Sequence, residues 1–342
     1  MAMKFARMFP LPQEVKEKYP ISYKAAQEKE KVDAEIKNIL TGEDNRKLLI
    51  IGPCSADNED AVMEYMYRLK EMQKEVQDKI LFVPRVYTNK PRTNGDGYKG
   101  LFHQPDPTAE PDLMRGLLAM RKLQKRVLEE TNMPIADEML YPANYEYVSD
   151  ILSYIAVGAR SVENQEHRLL SSGVNVPVGM KNPTSGDLSI MLNSIHAAQN
   201  KHAFAYRGWE VETTGNPLAH AIIRGSVNKR GLNVPNYHYE DLEILYEMYA
   251  KSDLQNMALI VDCNHSNSGK KYLEQRRICK EVLHSCRHND DLQSILKGFM
   301  IESYLEDGSQ KIGEGVFGKS ITDPCLGWEK TRNLILEIAE SL

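Results

Sequence analysis

The chain has 342 residues, 42% of them hydrophobic and 27% charged, with a mean hydropathy of −0.49; this excludes a disordered chain, and no run of about 18 apolar residues marks a membrane helix. Lys and Arg number 43 against 48 Asp and Glu, a net charge of −5, and a pI near 6.0 excludes a surface that binds nucleic acid throughout, so any cationic cluster must be local. The five cysteines, Cys54, Cys263, Cys279, Cys286 and Cys325, are odd in number with no CxxC pair, and no apolar signal segment opens the chain, which predicts a reducing, cytoplasmic setting.

In chain order, residues 1–45 read as an N-terminal arm and helix. Pro10, Pro12 and Pro20 break the first stretch, and Ser22 to Leu40 has the spacing of an amphipathic helix ended by Gly42. Residues 46–342 read as one catalytic domain. Short apolar or β-branched runs recur at 48–52, 81–87, 134–139, 159–163, 177–181, 220–224, 258–263 and 298–302. Helical spacing fills Ala61 to Val76, Leu113 to Glu130, Asn144 to Ile155, Tyr239 to Lys251 and Tyr272 to His284. Near-continuous apolar strands alternating with helices imply a parallel sheet covered by helices. Eight such units predict an α/β fold, a (β/α)8 TIM barrel with an N-terminal helical arm; an open doubly wound sheet is the alternative. Ala203 to Thr213 reads as extended, a short extra hairpin before the sixth barrel strand.

Parallel α/β proteins carry their chemistry at the carboxyl ends of strands. The residues leaving these runs are Cys54, Arg85 with Lys90 and Arg92, Glu138, Arg160, Lys181, Arg224, Asp262 with His265, and Glu302, followed by Asp323 in the last loop. Six of them are cations, which a net-acidic protein gathers in one place to meet phosphate or carboxylate. Cys54, His265, Glu302 and Asp323 supply thiolate, imidazole and two carboxylates, a donor set suited to one divalent ion: Mn2+, Fe2+, Co2+ or Zn2+. The run Gly313-Glu314-Gly315-Val316-Phe317-Gly318-Lys319-Ser320 matches a phosphate-binding loop in letters. Polar residues precede it and Pro324 follows closely, so it reads as a surface loop that delivers Asp323.

Several ordered blocks then resemble those of class I 3-deoxy-D-arabino-heptulosonate 7-phosphate (DAHP) synthases, in particular the aromatic-amino-acid-regulated subgroup. They are Gly52-Pro53-Cys54-Ser55, Lys90-Pro91-Arg92-Thr93, Gly158-Ala159-Arg160-Ser161, Pro177 to Asn182, Ile222-Ile223-Arg224-Gly225, Asp262 to Ser268 and Gly318 to Asp323. The resemblance implies a metal-dependent condensation of phosphoenolpyruvate with erythrose 4-phosphate, opening the shikimate pathway. It also implies metal ligation by Cys54, His265, Glu302 and Asp323. Arg85, Glu138, Gly158, Ala159, Arg160, Lys181 and Arg224 would surround phosphoenolpyruvate, with His265 and Asp323 also near substrate. Lys90 would reach both substrates, and Pro91, Arg92 and Thr93 would hold erythrose 4-phosphate; the catalytic set would be Lys90, Glu138, Lys181 and His265. An aromatic amino acid effector and a homodimer or homotetramer are implied as partners, the arm supplying contacts between copies. Three positions depart from the family pattern. Ala203 to Thr213 is shortened, Tyr141 to Tyr145 differs, and Asp57 stands where relatives often carry His. A rival reading makes Lys181 a Schiff-base lysine of a metal-independent aldolase, and another keeps phosphoenolpyruvate but takes arabinose 5-phosphate as the aldehyde.

Overall fold

The computed structural model describes residues 3–92 and 94–342. Its elements alternate as the apolar pattern demands. After α1 (Pro12–Lys18) and α2 (Tyr23–Thr41) come β1 (Lys47–Gly52), α3 (Glu59–Val76), β2 (Ile80–Pro84), α4 (Leu113–Thr131), β3 (Ala136–Glu138) and β4 (Tyr154–Val157). There follow α5 (Gln165–Ser171), β5 (Val178–Lys181), α6 (Leu188–Gln199), the hairpin β6 (Ala203–Tyr206) and β7 (Trp209–Glu212), and β8 (His220–Ile223). A short pair, β9 (Ser226–Val227) and β10 (Asn233–Val234), precedes α7 (Tyr239–Ala250), β11 (Leu259–Asp262), α8 (Gln275–Arg287), α9 (Asp290–Ile295), β12 (Leu296–Glu302) and α10 (Trp328–Ser341).

Eight strands pair in parallel in the order β2-β1-β12-β11-β8-β5-β4-β3. The two ends of that row meet where Arg85, just past β2, bridges Ala136 of β3 in parallel, and the Val86 amide donates to the Ala136 carbonyl at 2.9 Å. The sheet is thereby a closed barrel, which leaves no exposed edge. The expected hairpin is present as antiparallel β6 and β7.

Alternate strand residues face two different cores, as the two-residue period requires. Leu48, Ile50, Leu81, Val83, Tyr154, Ile222, Ile260 and Met300 fill the interior, joined by Ile36, Ile39 and Leu40 of α2. Their neighbours Leu49, Ile51, Phe82, Ile155 and Val261 pack outward against the helices. Helix α2 begins with the Ser22 side chain accepting from the Ala25 amide and ends at Gly42 in a left-handed conformation, both of which the sequence signals. Its apolar residues join the interior core, and the mouth at the other end stays open for chemistry. Arg121, fully buried, ties the arm down: it donates to the carbonyls of Tyr19 and Tyr147 and pairs with Asp150.

Two local expectations give way. Residues 159–163 are a turn, not a strand; the fourth strand is Tyr154–Val157, and the predicted helix Asn144 to Ile155 is a single 3-10 turn, Pro142–Tyr147, running into further turns. Asn144, Tyr145, Tyr147, Val148, Ser149 and Asp150 are weak helix formers, and burial of Tyr154 and Ile155 in the sheet outweighs their helical spacing. The glycine-rich run 313–320 is a surface loop with Gly313, Gly315 and Gly318 in left-handed backbone, and no helix opens at Lys319. Among the described residues no helix is long and apolar enough to cross a membrane.

Inside the barrel His220 Nδ1 lies 2.8 Å from the Leu218 carbonyl, so it carries the proton, and Nε2 accepts from the Tyr154 hydroxyl at 2.7 Å. Burial lowers the imidazole pKa to about 4. The folded protein resists charging His220 while the unfolded chain charges it near pH 6.5, so this stability is present above pH 6.5 and is lost as pH falls toward 4. Urea titrations from pH 7 to pH 4 are expected to show a loss on the order of 3 kcal/mol from this group, and His220→Gln is expected to flatten the pH dependence by that amount.

Candidate active site

The strand ends at the open mouth enclose a cavity of about 270 Å3. Cys54, Arg85, Lys90, Pro91, Arg92, Glu138, Gly158, Ala159, Arg160, Lys181, Arg224, His265, Glu302 and Asp323 all line it. Thr93 lies outside the described residues. Side chains up to 269 positions apart thus meet, Cys54 and Asp323 being the extreme case.

The acidic wall is built from three strand ends and the last loop. Cys54 Sγ, Glu302 and Asp323 offer donor atoms that all lie within 4.8 Å of one another, with Cys54 Sγ 3.7 Å from Asp323 Oδ2. Ligands at about 2.0–2.3 Å from a common ion stand apart by distances of this order. His265 borders the group, its Nε2 being 3.7 Å from Glu302 Oε1. The His265 backbone is left-handed, at φ 47°, and its Nδ1 lies 2.8 Å from Asp262 Oδ2. That bond places the proton on Nδ1 and leaves Nε2 as the donor toward an ion. Glu302 is fixed from both sides: Oε1 accepts from Arg85 Nη2 at 3.0 Å and Oε2 from Asn264 Nδ2 at 2.5 Å.

The thiol, imidazole and two carboxylates fit a divalent ion of the borderline kind. The set already grips a cation, because the Lys90 ammonium donates to Cys54 Sγ at 2.7 Å and to Asp323 Oδ2 at 2.9 Å. Burial and the Glu302 carboxylate push the Cys54 thiol up to about 11. Burial also opposes ionisation of Asp323, but Lys90, His265 and Lys270 outweigh it and hold that carboxyl well below its usual range. Asp262 behaves alike, with His265, Lys181 and Arg85 overcoming burial.

The same cavity is lined by buried cations. Arg85, Lys181 and Arg224 are 1%, 2% and 8% exposed. Arg85 stacks on Tyr87, its guanidinium carbon 4.0 Å from the ring centroid. Its Nε and Nη1 and the Nη1 of Arg224 are buried without a hydrogen-bond partner among the described residues. Buried guanidinium N–H groups left open in this way suit a planar oxyanion. Lys181 pairs with Asp262 at 3.2 Å, an arrangement for a cation rather than for the free amine of a Schiff-base aldolase. Gly158 lets Glu138 close in: a Cβ there would stand 2.6 Å from Glu138 Oε1.

Sequence reasoning missed part of this construction. Asp262 was visible as the polar end of an apolar run, but its double duty toward Lys181 and His265 was not. Lys270 donates to Asp323 at 2.9 Å and, with Tyr87, Asn89, Asn94, Asp96 and Ser161, completes the lining; a lone lysine in a polar loop carries no signal of that role.

Such a mouth defines a closed parallel barrel whose open end gathers buried cations beside side chains that could hold a metal ion. Comparison with known proteins makes the assignment specific: residues 18–336 match the model of the DAHP synthetase I family, and the chain belongs to that family. It is 36% identical over 339 residues to the Trp-sensitive phospho-2-dehydro-3-deoxyheptonate aldolase of Escherichia coli O157:H7, covering 97% of this chain and 94% of that one. The namesake in Buchnera aphidicola subsp. Schizaphis graminum is 36% identical over the same shares. The phospho-2-dehydro-3-deoxyheptonate aldolase of Francisella tularensis SCHU S4 has a similar structure, with a TM-score of 0.92 at 30% identity, over 99% of this chain and 98% of that one. The reaction is the condensation of phosphoenolpyruvate with erythrose 4-phosphate and water to DAHP and phosphate, the first step of the shikimate pathway.

Asp262→Asn keeps the shape of the side chain and removes the charge that aligns His265 and Lys181. Turnover is expected to fall about 10- to 100-fold with an unchanged circular dichroism spectrum.

Proposed function

We propose that the donor set and the cations divide the reaction between them. Cys54, His265, Glu302 and Asp323 hold one divalent ion, Mn2+, Fe2+, Co2+ or Zn2+, whose chemistry when bound is to polarise the aldehyde carbonyl of erythrose 4-phosphate. Arg85, Arg160, Lys181 and Arg224, with Glu138 and the backbone at Gly158 and Ala159, bind phosphoenolpyruvate. The observation that carries this half is the open N–H groups of Arg85 and Arg224, buried and without a partner among the described residues, on two residues that line the cavity. Lys90, Pro91, Arg92 and Thr93 hold the sugar phosphate.

Within that arrangement the guanidinium forks orient the three-carbon substrate so that its C3 faces the aldehyde, which lowers the entropic part of the barrel's task. Lys90 touches the donor set, and its ammonium donates a proton to the oxygen that gains charge as the carbon–carbon bond forms. Glu138, a carboxylate among the cations, takes the proton of the water that adds at C2 before phosphate leaves.

Regulation and assembly belong to the same reading. The relatives above are Trp-sensitive by name, and an aromatic amino acid is the proposed effector here. A hollow lined by Met139, Tyr141, Asn144 and Tyr145 measures about 30 Å3, the size of a water, and widens if it takes one. Met3, Phe5, Met8 and Leu11 of the arm are exposed apolar side chains, which supports a homodimer or homotetramer built on that segment. Five unpaired, buried cysteines suit the cytoplasm.

Phosphate release from phosphoenolpyruvate, measured with and without erythrose 4-phosphate and before and after chelation, tests the catalytic reading. Release is expected only with both substrates and the ion, and restoration on adding metal back. Full release in chelated enzyme overturns the metal assignment; equal turnover with arabinose 5-phosphate overturns the choice of aldehyde.

A further inference from the structure

The barrel closes along one seam, and the ladder of that seam stops early. Past the bond from the Val86 amide to the Ala136 carbonyl, parallel pairing would next join the Thr88 amide to the Glu138 carbonyl. That carbonyl instead accepts from the Leu140 amide at 2.9 Å, and the Thr88 amide donates to the Asp137 side chain, 3.0 Å from Oδ1. The same carboxyl group takes three more bonds: the Thr88 hydroxyl lies 2.6 Å and Gln124 Nε2 2.7 Å from Oδ2, and the Glu138 amide lies 2.8 Å from Oδ1. Four donors fill the acceptor sites of a carboxylate.

Asp137 is 5% exposed and stands outside the lining of the catalytic cavity. Ala136 belongs to the interior core, so the two-residue period turns Asp137 outward to the helix layer. There it meets the fully buried Gln124 of α4, a helix whose Met120, Leu123 and Val127 are buried and apolar. A carboxyl group in such a layer costs stability unless its bonds are made. Its other two partners both lead to the cavity: Thr88 precedes Asn89, Lys90, Pro91 and Arg92, and Glu138 follows Asp137, and all five of these residues line the mouth. Asn89 Nδ2 donates to Thr88 Oγ1 at 3.2 Å, and the Thr88 carbonyl accepts from the Phe102 amide at 3.1 Å, so the hold on Thr88 reaches Asn89 on one side and Phe102 on the other.

We propose that Asp137 is a positioning residue: in place of the next ladder bond, its carboxylate clamps Thr88 and the Glu138 amide to Gln124 of α4, and so holds the segment Asn89 to Arg92 and the side chain of Glu138 in place on the cavity. A continued ladder would carry the chain after Thr88 along the barrel wall. A side-chain acceptor stops the pairing and still anchors the chain where it turns into the mouth. The proposal rests on the reading of Lys90 to Arg92 as the holder of the sugar phosphate and of Glu138 as the base, and the experiment separates the two.

Thr88→Val, Asp137→Ala, Asp137→Asn and the double variant of the first two are compared with Arg92→Ala in steady-state kinetics and in hydrogen exchange read by mass spectrometry. Thr88→Val, which loses one bond of the clamp, is expected to raise KM for erythrose 4-phosphate about 3- to 10-fold, with kcat and KM for phosphoenolpyruvate within about twofold. Asp137→Ala is expected to raise the sugar KM at least as much, to lower kcat about 10- to 100-fold as Glu138 loses its anchor, and to speed exchange at residues 86–92 without speeding it in the outer helices. Asp137→Asn, whose Oδ1 still accepts from both amides, is expected to recover most of that kcat. The double variant is expected to fall short of the product of the single effects, the signature of groups that act together; if Asp137→Ala does not fold, Asp137→Asn takes its place in the pair. Fully multiplying effects, a sugar KM that Arg92→Ala raises and both Thr88→Val and the Asp137 variant leave unchanged, or exchange that quickens equally along the whole chain overturns the proposal. If Arg92→Ala leaves the sugar KM unchanged, the reading of the segment falls and exchange alone decides: quickening confined to residues 86–92 sustains the clamp, and unchanged exchange overturns it.

Discussion

Four cations and their shared carboxylates set the terms for everything at the open end of this barrel. Glu302 receives Arg85, Asp262 receives Lys181, and Asp323 receives both Lys90 and Lys270. Removing charges from water is costly, and a buried ion whose partner is lost costs about 3–5 kcal/mol. Glu302 and Asp262 therefore cannot be deleted without stranding the buried Arg85 and Lys181. Two of these carboxylates, Glu302 and Asp323, belong with Cys54 to the group that could hold a metal ion, and Asp262 fixes the imidazole of His265. Structural neutralisation and chemistry use one set of atoms.

That economy extends to the barrel itself. Arg85 bridges Ala136 where the first and last strands of the sheet row meet, so the residue that closes the barrel is also the one whose guanidinium enters the cavity. Gly52 pairs with Glu302 in the register of β1 and β12, which puts Cys54, two residues on, level with the carboxylate. At the other end Ile36, Ile39 and Leu40 of α2 belong to the interior core. Register, closure and that packing together leave the carboxyl ends of the strands as the open face, the place where parallel barrels carry their sites.

The sequence was legible where burial is continuous. Runs such as Leu48 to Ile51 and Leu259 to Val261 have no polar interruption, so they read as strands, and the polar residue that ends each reads as a site residue. The resemblance in blocks such as Asp262 to Ser268 then supplied the chemistry. It was illegible where one local pattern served two structures. Tyr145, Val148 and Leu152 have helical spacing yet pack around a 3-10 turn and further turns beside the sheet. Partnerships across the chain were also hidden: nothing near Lys270 announces Asp323, and nothing near Asn264 announces Glu302.

On the proposed reading, one small cavity has to hold two phosphorylated substrates without mixing them. A cavity of uniform positive charge would hold either anion in either orientation. Here the cations are interleaved with carboxylates, Arg85 with Glu302 and Lys181 with Asp262, while Nε and Nη1 of Arg85 and Nη1 of Arg224 have no hydrogen-bond partner among the described residues, so an anion on the proposed reading is drawn to those open N–H groups. Lys90 is hydrogen-bonded to Cys54 and Asp323, and burial fails to neutralise it because those two groups raise its pKa far above the ordinary value. On the proposed reading, that proton lies where the carbon–carbon bond leaves its negative charge.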